Sequence, residues 1–138
     1  MGIVDSHGRK RHLGHGFSLH TCILRPQSRG SVRLASSDPL AAPLIDPAFL
    51  THPDDMAALV RATRATAELF RTKALGLYAQ VPLMPEPDWQ GGDAAIEAFL
   101  RQHVDTIYHP VGTCRMGSDQ DSVLDPELRV RGVDGLRV

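Results

Sequence analysis

Residues Tyr108-His109-Pro110-Val111-Gly112-Thr113-Cys114-Arg115-Met116-Gly117 place an ionisable imidazole at the mouth of a glycine-bearing turn. Imidazole titrates near neutrality, so His109 can take up or return a proton at working pH. Pro110 fixes its own φ and biases His109 toward extended backbone, while Gly112 and Gly117 permit turns that other residues resist. Asp105-Thr106-Ile107-Tyr108-His109 therefore reads as a short strand, with Ile107 and His109 on one face and Tyr108 on the other. A strand that ends by handing His109 to a loop makes the imidazole a candidate general base. On local pattern alone, a lone histidine beside a turn is more often a solvated or hydrogen-bonded structural residue.

A second chemistry is written in the same residue types. His20-Thr21-Cys22 puts two ligand types on one strand face, and His109 with Cys114 completes a set of two cysteines and two histidines. The spacing argues against a metal site, because His-x-Cys and His-x4-Cys match no common zinc pattern. Cys22 and Cys114 are the only cysteines, and without a secretory segment they read as reduced, buried, small hydrophobic residues rather than a disulfide.

The elements that position these groups follow from periodicity. Phe17 to Arg25 alternates as a strand, with Phe17, Leu19, Thr21 and Ile23 on its core face. Pro26-Gln27-Ser28-Arg29-Gly30 has turn chemistry and Ser31 to Ala35 resumes alternation, which predicts a hairpin. Pro39, Pro43, Pro47 and Pro53 make residues 36–53 an extended connection. From Pro53 a helix is expected, with Asp54 and Asp55 at the positive end of its dipole. Met56, Leu59, Val60, Thr63, Ala67 and Phe70 form its apolar stripe, and Arg61, Arg64, Glu68 and Arg71 a solvated one. The prolines, Trp89 and Gly91-Gly92 make residues 82–92 a loop, anchored to the body by Trp89. A second helix is expected from Asp93, as cap, to about Val104, with Ile96, Phe99, Leu100, His103 and Val104 inward. Leu128-Arg129-Val130 and Leu136-Arg137-Val138 read as strands about a Gly132-Val133-Asp134-Gly135 turn. The fold expected is α+β, an antiparallel sheet with flanking helices.

Three blocks carry a resemblance: Tyr108 to Gly117; Val123-Leu124-Asp125-Pro126 through Val138; and Gly14-His15-Gly16-Phe17-Ser18-Leu19-His20 with Leu24 to Ser36, Asp38-Pro39 and Ile45 to Leu50. Together they resemble the C-terminal region of the glucose-methanol-choline (GMC) family of flavin-dependent oxidoreductases, in its choline dehydrogenase and aliphatic alcohol dehydrogenase branch. The resemblance implies that residues 1–138 are the substrate-binding domain, truncated at both ends, of an enzyme that oxidises a primary alcohol to the aldehyde with FAD. His109 falls on the family's catalytic histidine, which accepts the hydroxyl proton while a hydride leaves the carbinol carbon for flavin N5. Tyr108 and Pro110 fall near the flavin. The family's nucleotide-binding glycine fingerprint has no counterpart: Gly14-His15-Gly16 runs on into Phe17-Ser18-Leu19, without a third glycine or a strand to feed it. The segment expected to bring a second catalytic residue lies beyond Val138. The 138-residue chain by itself is therefore expected to be catalytically silent, a folded structural or interaction piece.

Composition narrows the partners. With 15 basic and 16 acidic residues the net charge is -1, so no broad field attracts nucleic acid or an anionic membrane. Arg9-Lys10-Arg11 is too short for a nucleic-acid patch and reads as a solvated loop. No apolar run approaches a bilayer span and no signal-peptide core is seen, which makes a cytoplasmic setting the expectation. The resemblance, rather than composition, implies an alcohol as substrate and an electron acceptor, whether oxygen or quinone-like. Only 5% of residues are aromatic and many apolar ones are alanine, so the core is expected to lean on neighbours outside these residues.

Overall fold

A short antiparallel ribbon opens the chain: β1 (Ile3–Asp5) pairs with β2 (Lys10–His12), in the register Val4↔Arg11. Lys10 and Arg11 thus lie in a strand rather than the expected loop, in a stretch where periodicity signals no ribbon. The computed structural model describes residues 3–5, 10–12, 15–79, 81, 82 and 86–138; Arg9, Gly14 and the loop centre at 83–85 lie outside them. The chain divides into two units, Met1–Arg29 with Ala48–Asp105 and Gly30–Pro47 with Thr106–Val138.

The first unit is built on helices. α1 (Pro53–Arg71) starts where the sequence predicts: His52 is its N-cap, with Nδ1 accepting from Asp54 N at 3.3 Å, and Pro53 takes the first position, where no N–H is needed. It stops at Thr72, whose extended backbone ends the helical path and whose hydroxyl then caps the one-turn α2 (Lys73–Gly76). A 3-10 turn at Trp89–Gly91, capped by Asp88, feeds α3 (Gly92–His103). Met56, Leu59 and Val60 of α1 pack with Leu50 and with Ile96 and Leu100 of α3 into a core that Ile23, Trp89 and Val104 flank. Ile96 at its centre is 0% exposed. Each such side chain contributes about 1.5–3 kcal/mol on burial, so these residues form a small core.

The α1 stripe is as predicted: Thr63, Ala67 and Phe70 are half-buried and Arg61, Arg64, Glu68 and Arg71 exposed. Two of those arginines do more than meet solvent. Arg64 Nε donates to Asp93 Oδ1 at 3.0 Å, and the Arg71 guanidinium lies 5.8 Å from the Trp89 ring centroid. Asp93 accordingly sits in the first turn of α3 rather than at its cap, which is Gly91. His103 is exposed rather than inward, because its ring stacks on Phe99 at 4.1 Å and its Nδ1 lies 2.8 Å from Phe99 O.

The predicted strand at 17–25 is not formed; these residues are irregular and largely exposed. The reason lies in the turn that follows. Asp55, 3% exposed, accepts from Gln27 N at 2.9 Å, Ser28 N at 2.8 Å and Ser28 Oγ at 2.6 Å. Ser28 Oγ also accepts from His52 N at 3.0 Å. The turn residues thereby bind the start of α1 instead of closing a hairpin onto 31–35.

In the second unit, β3 (Ser31–Arg33) pairs antiparallel with β4 (Leu44–Asp46), inside the stretch expected to be an unpaired connection. Gly30 permits this, since a Cβ there would stand 2.1 Å from Asp46 O. Residues 116–137 form single bridges, Met116↔Leu124, Leu124↔Val130 and Arg129↔Arg137, rather than the two expected strands. The turn at 132–135 is as predicted, closed by Val130 N to Leu136 O at 2.9 Å. Leu124, 2% exposed, is the buried apolar residue of this unit. Two antiparallel ribbons and separate helices make the chain α+β.

Candidate active site

His109 stands in the second unit on irregular backbone. The strand predicted at 105–109 does not form, and the physical reason is Tyr108, whose φ of 63° reverses the chain one residue before the histidine. Tyr108 N donates to Thr106 Oγ1 at 2.9 Å. Pro110 follows, and Gly112 adopts a φ of 101°, a conformation that any side chain would strain. Tyr108, His109 and Pro110 are brought together as sequence neighbours and all three are exposed. A shallow depression of about 410 Å³ elsewhere in this unit is lined by Asp125, Arg129 and the 132–135 turn, and His109 does not line it.

The loop after His109 is tied to buried Leu124 by backbone hydrogen bonds, Leu124 N to Arg115 O at 3.1 Å and Gly117 N to Leu124 O at 3.0 Å, and carries an ion pair at its surface. There Arg115 grips Asp119 with both ends of its guanidinium, Nη1 to Oδ2 at 2.8 Å and Nη2 to Oδ1 at 2.7 Å. That pairing holds the Asp119 carboxyl well below the usual carboxylate range, the Arg115 hydrogen bonds being the largest cause. Ser122, 3% exposed, sets its hydroxyl 2.9 Å from Gly117 O and 2.6 Å from Asp119 O. Arg131 Nη2 donates to the same Gly117 carbonyl at 2.8 Å. Further along, Asp125 accepts from Arg129 N at 2.9 Å and Arg129 Nε at 2.8 Å, which lowers its pKa, the Arg129 backbone hydrogen bond first among the causes.

Sequence reasoning misses three of these groups. Thr106 carries no motif, and only its place two residues before Tyr108 marks it as a turn acceptor. Asp119 stands four residues after Arg115, a spacing that signals a pair on a helix but is silent in a loop. Asp55 reads from the sequence as a dipole acid, whereas it is the buried acceptor that joins two segments. Cys22 and Cys114 are free, as expected, but exposed rather than buried. No three His, Cys, Asp or Glu side chains converge as a metal site among the described residues, and no helix among them is long and apolar enough to cross a membrane.

Comparison with known proteins bears on the same segment. Residues 26–138 match the family model described as GMC oxidoreductase. The chain is 41% identical over 135 residues to an alcohol dehydrogenase [acceptor] of Pseudomonas putida, a match covering 98% of this chain and 24% of that protein. It is 44% identical over 137 residues to an oxygen-dependent choline dehydrogenase of Rhizobium rhizogenes, covering 98% of this chain and 25% of the relative. The crystal structure of pyridoxine 4-oxidase from Mesorbium loti superposes with a TM-score of 0.71 at 35% identity, over 82% of this chain and 22% of that one. The chain thus spans about a quarter of the length of the curated relatives it matches. With the family model covering residues 26–138, His109 and its loop included, this chain belongs to the GMC oxidoreductase family.

Proposed function

We propose that the chain is the substrate-binding, C-terminal part of an FAD-dependent oxidoreductase that oxidises a primary alcohol, either an aliphatic alcohol or choline, to the aldehyde. His109 is the proton acceptor in this reading. The observation that carries it is the family match across Tyr108 to Gly117, among relatives named alcohol dehydrogenase and choline dehydrogenase. When bound, the flavin supplies the acceptor for the carbinol hydride.

The residues present fit one end of that cofactor. Ile107, Tyr108 and Val111 are 53%, 70% and 92% exposed around His109, apolar surface that a planar ring system would cover. The nucleotide end has no counterpart here, since Gly14-His15-Gly16 lacks the third glycine of a pyrophosphate-binding turn. In the proposed reading, the remainder of a protein of the relatives' length holds the nucleotide. The same remainder covers the β3–β4 ribbon, whose Val32, Leu44 and Ile45 are exposed and which a two-stranded sheet does not stabilise alone.

The chemistry asked of this chain is then local. His109 must present an unprotonated ring nitrogen within about 2.6–3.2 Å of the substrate hydroxyl. Pro110 and Gly112 shape the backbone that carries it, and the Arg115–Asp119 grip keeps the following loop from drifting.

The test is His109→Ala in the full-length, flavin-loaded protein. Turnover should fall about 10²–10⁴-fold, the usual contribution of a general base, with flavin absorbance retained. Turnover equal to the parent's would remove His109 from the role. A panel of aliphatic alcohols and choline then names the substrate. The 138-residue chain alone should be colourless and give no alcohol-dependent dye reduction.

A further inference from the structure

The residue before His109 occupies a conformation that tyrosine rarely takes. With φ at 63°, Tyr108 lies in the left-handed region, where Cβ crowds the neighbouring backbone and only glycine, or less readily asparagine and aspartate, sits at ease. Ala48, Leu50 and Leu128 share the sign of φ. Leu128 is accounted for by a closed backbone turn, its N–H donating to Asp125 O at 2.9 Å. Ala48 and Leu50 lie beside Thr51, whose hydroxyl donates to Ala48 O at 2.9 Å. At Tyr108 the peptide that enters the reversal is fixed by a side chain that accepts: Tyr108 N donates to Thr106 Oγ1 at 2.9 Å. Such outliers persist where surrounding structure enforces them, and they cluster at active sites.

The placement gives this outlier a consequence. A strand through 105–109 would put His109 on the Ile107 face, and the reversal at Tyr108 abolishes that alternation. Pro110 restricts His109 from the other side, by disfavouring helical backbone before a proline. The histidine is therefore set between a left-handed residue and a proline, with its direction decided by the backbone of Tyr108.

We propose that Thr106 and Tyr108 are positioning residues for His109: the Thr106 hydroxyl fixes the peptide between Ile107 and Tyr108, and the left-handed turn that Tyr108 makes from that peptide aims the imidazole. The proposal rests on the reading of His109 as proton acceptor. It goes beyond that reading by assigning the aim of the base to a hydroxyl and a backbone angle rather than to a group in contact with the reacting atoms.

The experiment uses the full-length, flavin-loaded protein with five variants: Thr106→Val, Thr106→Ser, Tyr108→Asn, Tyr108→Ile and His109→Ala. Each is read as kcat and KM per bound flavin, and by crystallography as the φ of residue 108 and the position of the imidazole. Tyr108→Asn and Tyr108→Ile both remove the ring, so their difference isolates the backbone: asparagine tolerates the left-handed region and a β-branched residue resists it. A displacement of about 1 Å costs on the order of a hundredfold in rate. Thr106→Val should therefore lower kcat about tenfold to a hundredfold with KM little changed and show the 107–108 peptide and the imidazole moved, and Tyr108→Ile should fall about tenfold to a hundredfold below Tyr108→Asn in kcat, with φ negative and the imidazole moved. Thr106→Ser should retain kcat within about threefold, and both it and Tyr108→Asn should keep the parent φ and imidazole position. If Tyr108→Ile matches Tyr108→Asn, or Thr106→Val matches the parent, while His109→Ala is inactive, that residue's positioning role is overturned and the proton-acceptor reading stands. If His109→Ala retains turnover, both fall together.

Discussion

Removing the Asp55 carboxylate should unfasten the first unit at the start of α1. Asp55 accepts three donors, Gln27 N at 2.9 Å, Ser28 N at 2.8 Å and Ser28 Oγ at 2.6 Å. A hydrogen bond to a charged acceptor contributes about 1.5–3 kcal/mol. The three are not additive, and Gln27 is exposed enough for its N–H to regain water. Asp55→Ala should then cost about 3 kcal/mol, roughly a hundredfold in the unfolding equilibrium constant. Asp55→Asn keeps one acceptor oxygen and should cost about 2 kcal/mol, and Ser28→Ala about 1 kcal/mol. Urea unfolding followed by far-ultraviolet circular dichroism reads all three. The pH dependence adds a sharper test. Hydrogen bonds from the Ser28 side chain, then from Gln27 N, lower the Asp55 pKa against the opposing effect of burial. The folded chain thus binds that proton more weakly than the unfolded chain. The stabilisation is complete above the unfolded carboxylate value of about 3.9 and is lost as pH falls through the lowered folded value. Asp119 and Asp125, also lowered, are shared by parent and variant and cancel in the difference. The gap between parent and Asp55→Asn should therefore narrow below about pH 4. A gap under about 0.5 kcal/mol at neutral pH for Asp55→Ala, well inside the range of inert surface changes, would refute the reasoning.

Ile96→Ala removes the residue that is 0% exposed at the centre of the core and should cost about 2–5 kcal/mol, read by the same denaturation. Gly30→Ala forces a Cβ to 2.1 Å from Asp46 O and should break the β3–β4 ribbon, seen as loss of cross-strand nuclear Overhauser contacts between residues 31–33 and 44–46. Both cysteines should react with a thiol reagent without denaturant, because Cys22 and Cys114 are exposed; labelling that needs denaturant would contradict the structure.

Local patterns in the sequence are enough for α1 and most of α3, because a 3.6-residue apolar stripe, a proline at the first helical position and acids in the first turn act within one element. The turn at 132–135 is legible for the same reason. The family is legible from the block around His109, and with it the candidate base. What depends on partners distant in sequence is not. Alternation at 17–25 predicts a strand, but a strand needs a ladder, and Asp55 claims the neighbouring N–H groups instead. Pairing of β3 with β4 hinges on the close approach of Gly30 to Asp46, which no periodicity reports. Around His109 the sequence supplies the imidazole, the proline and the glycines, whereas tertiary structure decides their direction. A φ of 63° at Tyr108 is unfavourable for its residue type and exists only because the fold enforces it, so local propensity points the other way.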